Sequence, residues 1–190
     1  MSLVVHPVTP DRWDDLSDLF GPSGAYAGCW CMWNRQTSGE YQRDRGESNR
    51  AALEALVQAG EVPGLLAYGD GEPVGWVSVG PREAFSRLQR SPVTRPVDDT
   101  PVWSVTCFVV RRGRRRQGIA AALLEAAVAY AAAAGASVVE GYPVDPGTGG
   151  VANSDAWMGL ASMFRSAGFH EVARRSEKRL LMRRVVGSPP

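Results

Sequence analysis

Cys107-Phe108-Val109-Val110-Arg111-Arg112-Gly113-Arg114-Arg115-Arg116-Gln117-Gly118-Ile119-Ala120 decides how this chain folds. It closes a run from residue 103 to 110 that is β-branched, aromatic and nearly uncharged, the pattern of a central strand with both faces covered. An arginine-rich turn follows, then a helix from about Gln117 to Ala134, with Ile119, Leu123, Leu124 and Val128 on its core face and Gly135 at its end. A strand that feeds a helix N-terminus builds an anion site, because the first helical N–H groups lack an intrahelical acceptor and the dipole adds positive potential. Gly118 carries no side chain to hold a phosphate oxygen off the backbone, and the arginines add forked donors. The turn has neither the Gly-Lys-Ser/Thr of a P-loop nor the Gly-x-Gly-x-x-Gly of a dinucleotide fold.

Upstream of this strand, residues 81–101 are polar and proline-punctuated, a loop with one helical turn. Residues 65–68 and 74–79 are short strands around Gly69-Asp70-Gly71, a hairpin signal. Ser48 starts a helix that carries Leu53, Leu56 and Val57 and closes at Gly60. Residues 22–46 read as an irregular segment holding Tyr26, Trp30, Trp33 and Tyr41. Before it, a β-rich stretch over 3–8 leads to Thr9, which caps a helix with Pro10 at its first position and Trp13, Leu16 and Phe20 on one face.

Downstream, residues 137–142 form another buried strand, and 143–152 a glycine-rich loop. Asn153 or Ser154 caps a helix carrying Trp157, Leu160 and Phe164, which Gly168 closes. A hairpin of residues 169–173 and 180–186 completes the order β α α β β β α β α β β. The fold class is therefore α/β: one domain over 1–186 with a frayed tail at 187–190, and a mixed, mostly antiparallel sheet with helices on both faces. Strand–helix–strand over 103–142 supplies one parallel crossover.

The chain has 190 residues with a formal net charge of +1, so no global field favours DNA or an anionic membrane. The first hundred residues hold nine arginines against fourteen acids, and the remainder twelve basic residues against six. Much of that second excess sits in the 111–116 turn, with no aromatic interleaving or second basic stripe, which argues against nucleic acid as partner. Cys29, Cys31 and Cys107 do not make a disulfide framework, and His6 and His170 lie too far from the Cys-x-Cys pair in sequence to suggest a metal centre. No signal peptide and no membrane span are recognisable, so a soluble cytoplasmic protein without a membrane partner is expected.

Arg115-x-x-Gly118-x-Ala120 after a strand resembles the acyl-CoA loop of the GNAT superfamily of N-acyltransferases, Gln/Arg-x-x-Gly-x-Gly/Ala. The element order is similar over most of the chain, and Gly168-Phe169 resembles the helix-ending Gly-Phe of that family. The resemblance implies acetyl-CoA as acyl donor, with its pyrophosphate on the backbone of Arg115, Arg116, Gln117, Gly118, Ile119 and Ala120. It places the pantetheine arm along Phe108, Val109 and Val110, where the parallel strands splay apart, and implies direct attack by an amine. No metal is called for. The expected acceptor is a small-molecule primary amine, held by the 22–46 segment and the terminal hairpin; a catalytically inactive acyl-CoA binder and a protein lysine or N-terminal acetyltransferase are the alternatives, and a homodimer stays open.

Where the family often has a tyrosine acid the chain has Phe164, where an asparagine is frequent it has Trp157, and where many members carry a glutamate base it has Ser104. Glu140 and Tyr142, toward the end of the splayed strand, are the substitutes: a carboxylate to relay the amine proton and a phenol to protonate the thiolate. The plainer alternatives are an arginine-paired carboxylate and an aromatic wall. Trp30 and Trp33 lie in a sulfur- and aromatic-rich stretch that suits either an acceptor pocket or core packing under a lid. Arg82, after the third strand, could fork a substrate carboxylate or make a surface ion pair.

Overall fold

In the computed structural model, which describes residues 2–147, 150 and 156–187, six α-helices pack around one seven-stranded sheet. Strand β1 (Leu3–Pro7) leads through a 3₁₀ turn at Pro10–Arg12 to helix α1 (Trp13–Phe20). Helices α2 (Ser38–Arg43) and α3 (Glu47–Gln58) precede the hairpin β2 (Gly64–Gly69) and β3 (Glu72–Pro81). The hairpin turn has Asp70 and Gly71 both at positive φ (55° and 84°), the conformation a tight two-residue hairpin requires. Short α4 (Ser86–Arg90) lies between β3 and β4 (Trp103–Val110), and α5 (Ile119–Ala133) connects β4 to β5 (Val138–Gly141). Then come α6 (Ala161–Ser166), β6 (His170–Arg174) and β7 (Leu180–Val185).

The strand order is β1-β2-β3-β4-β5-β7-β6, and only β4 and β5 run parallel. Helices cover both faces. On one, Leu123, Leu124, Ala127 and Phe164 pack on Val77, Val79, Val105 and Leu180. On the other, α1, α3 and the 24–33 segment bury Trp13, Leu16, Phe20, Trp30, Leu53 and Val57 against Leu66 and Trp76. A smaller cluster of Phe85, Leu88, Tyr142, Met158 and Leu181 extends that second layer. Helix α5 comes so close to β3 that a Cβ on Gly75 would stand 2.6 Å from Ile119 Cγ2.

Three segments differ from the sequence reading. Thr9 does not cap a helix: its hydroxyl donates to the Asp11 carboxylate instead of accepting a helical N–H, and Pro10–Arg12 is a 3₁₀ turn ahead of α1. The 22–46 stretch contains α2, started by a capping box in which Thr37 accepts from the Glu40 N–H and the Glu40 side chain accepts from the Thr37 N–H. The helix expected from Asn153 or Ser154 onward is not continuous: its start lies outside the described residues, and beyond that a 3₁₀ turn at Ala156–Met158 is cut off by Gly159 at φ 91°. Leu160 is extended and bridges to Val144, so α6 begins only at Ala161. The 187–190 tail is described only at Gly187. No helix among the described residues is long and apolar enough to cross a membrane.

Candidate active site

Strand β4 has unequal neighbours. β3 accompanies it from Trp103 to Val110, whereas β5 pairs only with Trp103, Ser104 and Val105 and ends at Gly141. Past that point no described strand pairs with the β5-side edge of half-buried Phe108, Val109 and Val110, which leaves backbone amides for a guest to pair with. A bulge lies at the start of the opening: Val79 opposes Val105 and Ser78 opposes Cys107, so Thr106 is the extra residue. The Asn34 amide donates to the Thr106 carbonyl at 3.4 Å, tying the 22–37 segment to this bulge.

The open edge leads directly to the turn. Gly113 and Gly118 have φ of 89° and 77°, and Gly118 is the N-cap residue of α5. Ala122 N–H bonds to Gly118 O at 3.0 Å, so the N–H groups before it on the first turn have no intrahelical acceptor. A Cβ on Gly118 would meet nothing within 4 Å, so the space beside the helix start is open. Arg111 anchors the turn by bonding Pro73 O at 2.8 Å and Asp18 at 2.6 Å, and Arg114 stands 3.5 Å from Asp70. Arg112, Arg115 and Arg116 are exposed and have no carboxylate within 4 Å among the described residues. A forked, cationic rim around free N–H groups fits a polyphosphate chain.

Glu140 and Tyr142 come together, but in a closed network. Both are 0% exposed. Arg82, also buried, donates to Glu140 Oε1, to Tyr142 OH at 2.7 Å, to Leu88 O at 3.2 Å and to Thr94 O. Tyr142 donates to Glu140 Oε1 at 2.6 Å and shares a 2.9 Å hydrogen bond with Ser104 Oγ, while Arg183 Nε donates to Glu140 Oε2 at 2.8 Å. Arg183 also forks onto Asp98 at 2.7 and 3.0 Å. Both Glu140 oxygens are therefore engaged by guanidinium, and the Tyr142 proton points at a carboxylate. Burial, and then the Glu140 charge, push the phenol well above its ordinary range, which makes it a weaker acid. The paired-carboxylate alternative describes Glu140 as it stands. Arg82 departs from both expectations: it is a buried ion pair, with no fork left for a substrate.

Phe164 fills the tyrosine position as a fully buried ring, edge-on to Phe108 at 6.3 Å and Phe169 at 4.9 Å. It presses so closely on β5 that a Cβ on Gly141 would stand 2.1 Å from its ring. Trp157 is half-buried between the second and third clusters. Of the two candidate acceptor tryptophans, Trp30 is core: 5% exposed, stacked on Trp13 at 6.2 Å and tilted on Phe20 at 5.6 Å. Trp33 stays half-buried, edge-on to Tyr41 at 4.9 Å with the Arg87 guanidinium 3.9 Å above its ring. Ala25, Ala27, Trp30 and Cys31 all have positive φ, so this segment holds several non-glycine residues in the left-handed region.

Cys31 and Cys107 lie 3.3 Å apart and buried, with the Trp76 indole donating to Cys31 at 3.1 Å. The Cys107 contact and burial raise the Cys31 thiol, the reverse of what a nucleophile needs. Among the described residues no three His, Cys, Asp or Glu side chains gather as metal ligands. The sequence reading missed Asn34 and Arg35, which pack beside Thr106 and Gly80, and the 82–102 segment that closes over Ser104. Thr37-x-x-Glu40 was the one local signal that this stretch is built rather than irregular.

The profile of the Acetyltransferase (GNAT) family matches residues 26–145. No curated protein matches the chain. Among solved structures, a polyamine N-acetyltransferase from Drosophila melanogaster, described as forming N-acetylagmatine, superposes with a TM-score of 0.59 at 12% identity, covering 97% of this chain and 100% of that one. A structure described as histone acetyltransferase HPA2 and related acetyltransferase, from Corynebacterium glutamicum, gives 0.56 at 21% identity, covering 100% and 99%. An aminoglycoside 6'-acetyltransferase type Ii gives 0.55 at 14% identity, covering 98% and 99%. These likenesses are of fold, and they extend over nearly the whole chain. With the family profile spanning more than half of the sequence, the chain belongs to the GNAT acetyltransferase family.

Proposed function

We propose that this protein is a cytoplasmic N-acetyltransferase that moves an acetyl group from acetyl-CoA to the primary amine of a small molecule. The observation that carries the reading is the continuity of the open β4 edge at Phe108–Val110 with the unobstructed helix start at Gly118. The backbone of Arg115 to Ala120 would hold the pyrophosphate, with Arg112, Arg115 and Arg116 screening its charge, and the amides of Phe108 to Val110 would pair with the pantetheine arm. When bound, the donor supplies an activated acyl thioester. Phe108 and Phe164 wall the site with apolar rings that exclude water, and Phe164 has no proton to give. Glu140, Tyr142, Arg82 and Ser104 serve as a rigid floor. The amine then reacts in its neutral form and catalysis rests on positioning. Trp33, the half-buried one of the two candidate acceptor tryptophans, lines the acceptor side. Polyamine and aminoglycoside acetyltransferases among the structural neighbours favour a small-molecule acceptor.

Thermal shift with acetyl-CoA, desulfo-CoA and NAD tests the donor, and thiol release over an amine panel tests the transfer. Saturation at a hundredfold excess over Kd stabilises by about 2.7 kcal/mol, read as a higher Tm with both CoA species and none with NAD. An equal shift with NAD, or none at all, rejects the donor site. A CoA shift without turnover on any amine supports the acyl-CoA binder instead, the reading that Phe164 and the ion-paired Glu140 favour.

A further inference from the structure

On the face of the sheet that carries Ser104, two arginines stand in opposite states. Arg82 is ion-paired with Glu140 and hydrogen-bonded to two carbonyls, with only its Nε left without a partner. Arg35 makes no ion pair, and the charge of Glu61 reaches it only from beyond pairing distance. Among the described residues no carboxylate lies within 4 Å of it, and its only side-chain hydrogen bond runs from Nη2 to Pro63 O at 3.1 Å. Its Nε is buried with no partner, and the guanidinium lies 4.5 Å over the Phe85 ring. Burial lowers its pKa to about 10, so it remains a cation at neutral pH in a poorly solvated place. Its backbone is clamped: Ser86 Oγ donates to Arg35 O at 3.0 Å, and Arg35 N–H bonds to Met32 O at 3.0 Å. The Glu61 charge offsets that burial only in part and makes no ion pair with Arg35, and a desolvated, pre-positioned guanidinium without a paired carboxylate is costly for a fold to keep, so an arriving anion repays that cost.

Its place suits an acceptor. Arg35 follows Asn34, whose side chain sits on the Thr106 bulge, and Arg35 Nη2 is 3.9 Å from where a Gly80 Cβ would be. Gly80 pairs with Ser104, two residues from Thr106, so an anion on Arg35 stands roughly 6–10 Å from the bulge. That is the span between the ends of an amine and a carboxylate separated by several methylenes.

We propose that Arg35 determines acceptor specificity by docking a carboxylate carried on the amine substrate, several bonds from the reacting nitrogen. The amine half of this statement rests on the acetyltransferase reading; the docking of the carboxylate does not require turnover. Isothermal titration without any acyl donor tests it, using 6-aminohexanoate, lysine and hexylamine as probes. The wild-type protein is expected to bind the two carboxylates at least tenfold more tightly than hexylamine, a preference that fades as salt is raised. Arg35→Met is expected to erase the preference, and Arg35→Lys to keep part of it, because an ammonium cannot fork. Circular dichroism melting is the folding control, and if Arg35→Met does not fold, Arg35→Lys decides, with at least a threefold loss expected. Equal affinity for all probes, no binding of the carboxylates, or a preference untouched by the substitutions overturns the proposal. Thiol release with acetyl-CoA is read separately. Carboxylate binding without turnover would sink the transferase reading alone, and turnover without carboxylate preference would sink the role of Arg35 alone.

Discussion

Glu140→Gln separates a supporting carboxylate from a catalytic base. Glu140 is fully buried and answers two guanidinium groups, Arg82 on Oε1 and Arg183 on Oε2. Glutamine keeps the volume and one acceptor oxygen but removes the charge, leaving Arg82, itself 4% exposed, without an anion. Breaking a buried pair in this way costs about 3–5 kcal/mol. For a chain of this size each kcal/mol moves Tm by about 2–4 °C, so a fall of about 6–20 °C is expected. Denaturation followed by fluorescence of the six tryptophans measures it. Arg82→Met added to Glu140→Gln should cost at least about 1 kcal/mol less than the two single changes summed, since the second removes a charge the first has orphaned. Assayed below its melting range, Glu140→Gln should retain kcat within about tenfold, because its oxygens face arginines rather than the open β4 edge. A lost general base would instead cost about 10²–10⁴-fold and abolish the acidic limb of the pH–rate profile. That result, with Tm unchanged to within about 2 °C, would refute the reasoning.

Gly118→Ala tests the cradle. Its φ of 77° makes any L side chain strained, at about 1–2 kcal/mol of stability, yet the added Cβ meets no protein atom; CoA affinity measured by titration should therefore fall more than tenfold in a protein that still folds. Asp98, held well below the usual carboxylate range by the Arg183 fork, contributes stability that is full above its unfolded value near 3.9 and disappears as pH falls toward its folded one. Asp98 is half-exposed, so the effect is small: Asp98→Asn should lower Tm by about 1–3 °C at pH 7, with the gap to wild type closing below pH 4 and shrinking in high salt.

What could be read from the sequence follows the range of the interactions involved. Trp103–Val110, the turn and α5 were legible because each is fixed locally: β-branched residues need a covered strand, Gly118 needs the left-handed region, and an alanine-rich stretch with a leucine face needs a sheet beneath it. The hairpin at Asp70-Gly71 was legible for the same reason. Helix α2 was legible in principle from Thr37-x-x-Glu40, but four aromatics drew the 22–46 stretch toward a pocket. Gly159, at φ 91°, breaks the last helix, and the extended Leu160 after it bridges to Val144.

The acceptor side is different, because there meaning comes from partners far away in sequence. Glu140 and Arg82 are 58 residues apart, and Glu140 and Arg183 are 43; only the register that sets Ser104 opposite Glu140, and Glu140 opposite Arg183, turns those residues into a closed floor. The expectation for Arg82, a fork on a substrate carboxylate or a surface ion pair, meets instead a buried pair with Glu140. Arg82 follows a strand and so looks exposed, yet the 82–102 segment folds over it, whereas Arg35 emerges from a strained loop, touches a carbonyl and a ring, and has Glu61 only beyond pairing distance. A charge can be counted from the sequence, but whether it is answered depends on three-dimensional neighbours. On this face the paired charges hold the protein together, and Arg35, which has no ion pair, is where we propose that a substrate carboxylate supplies one.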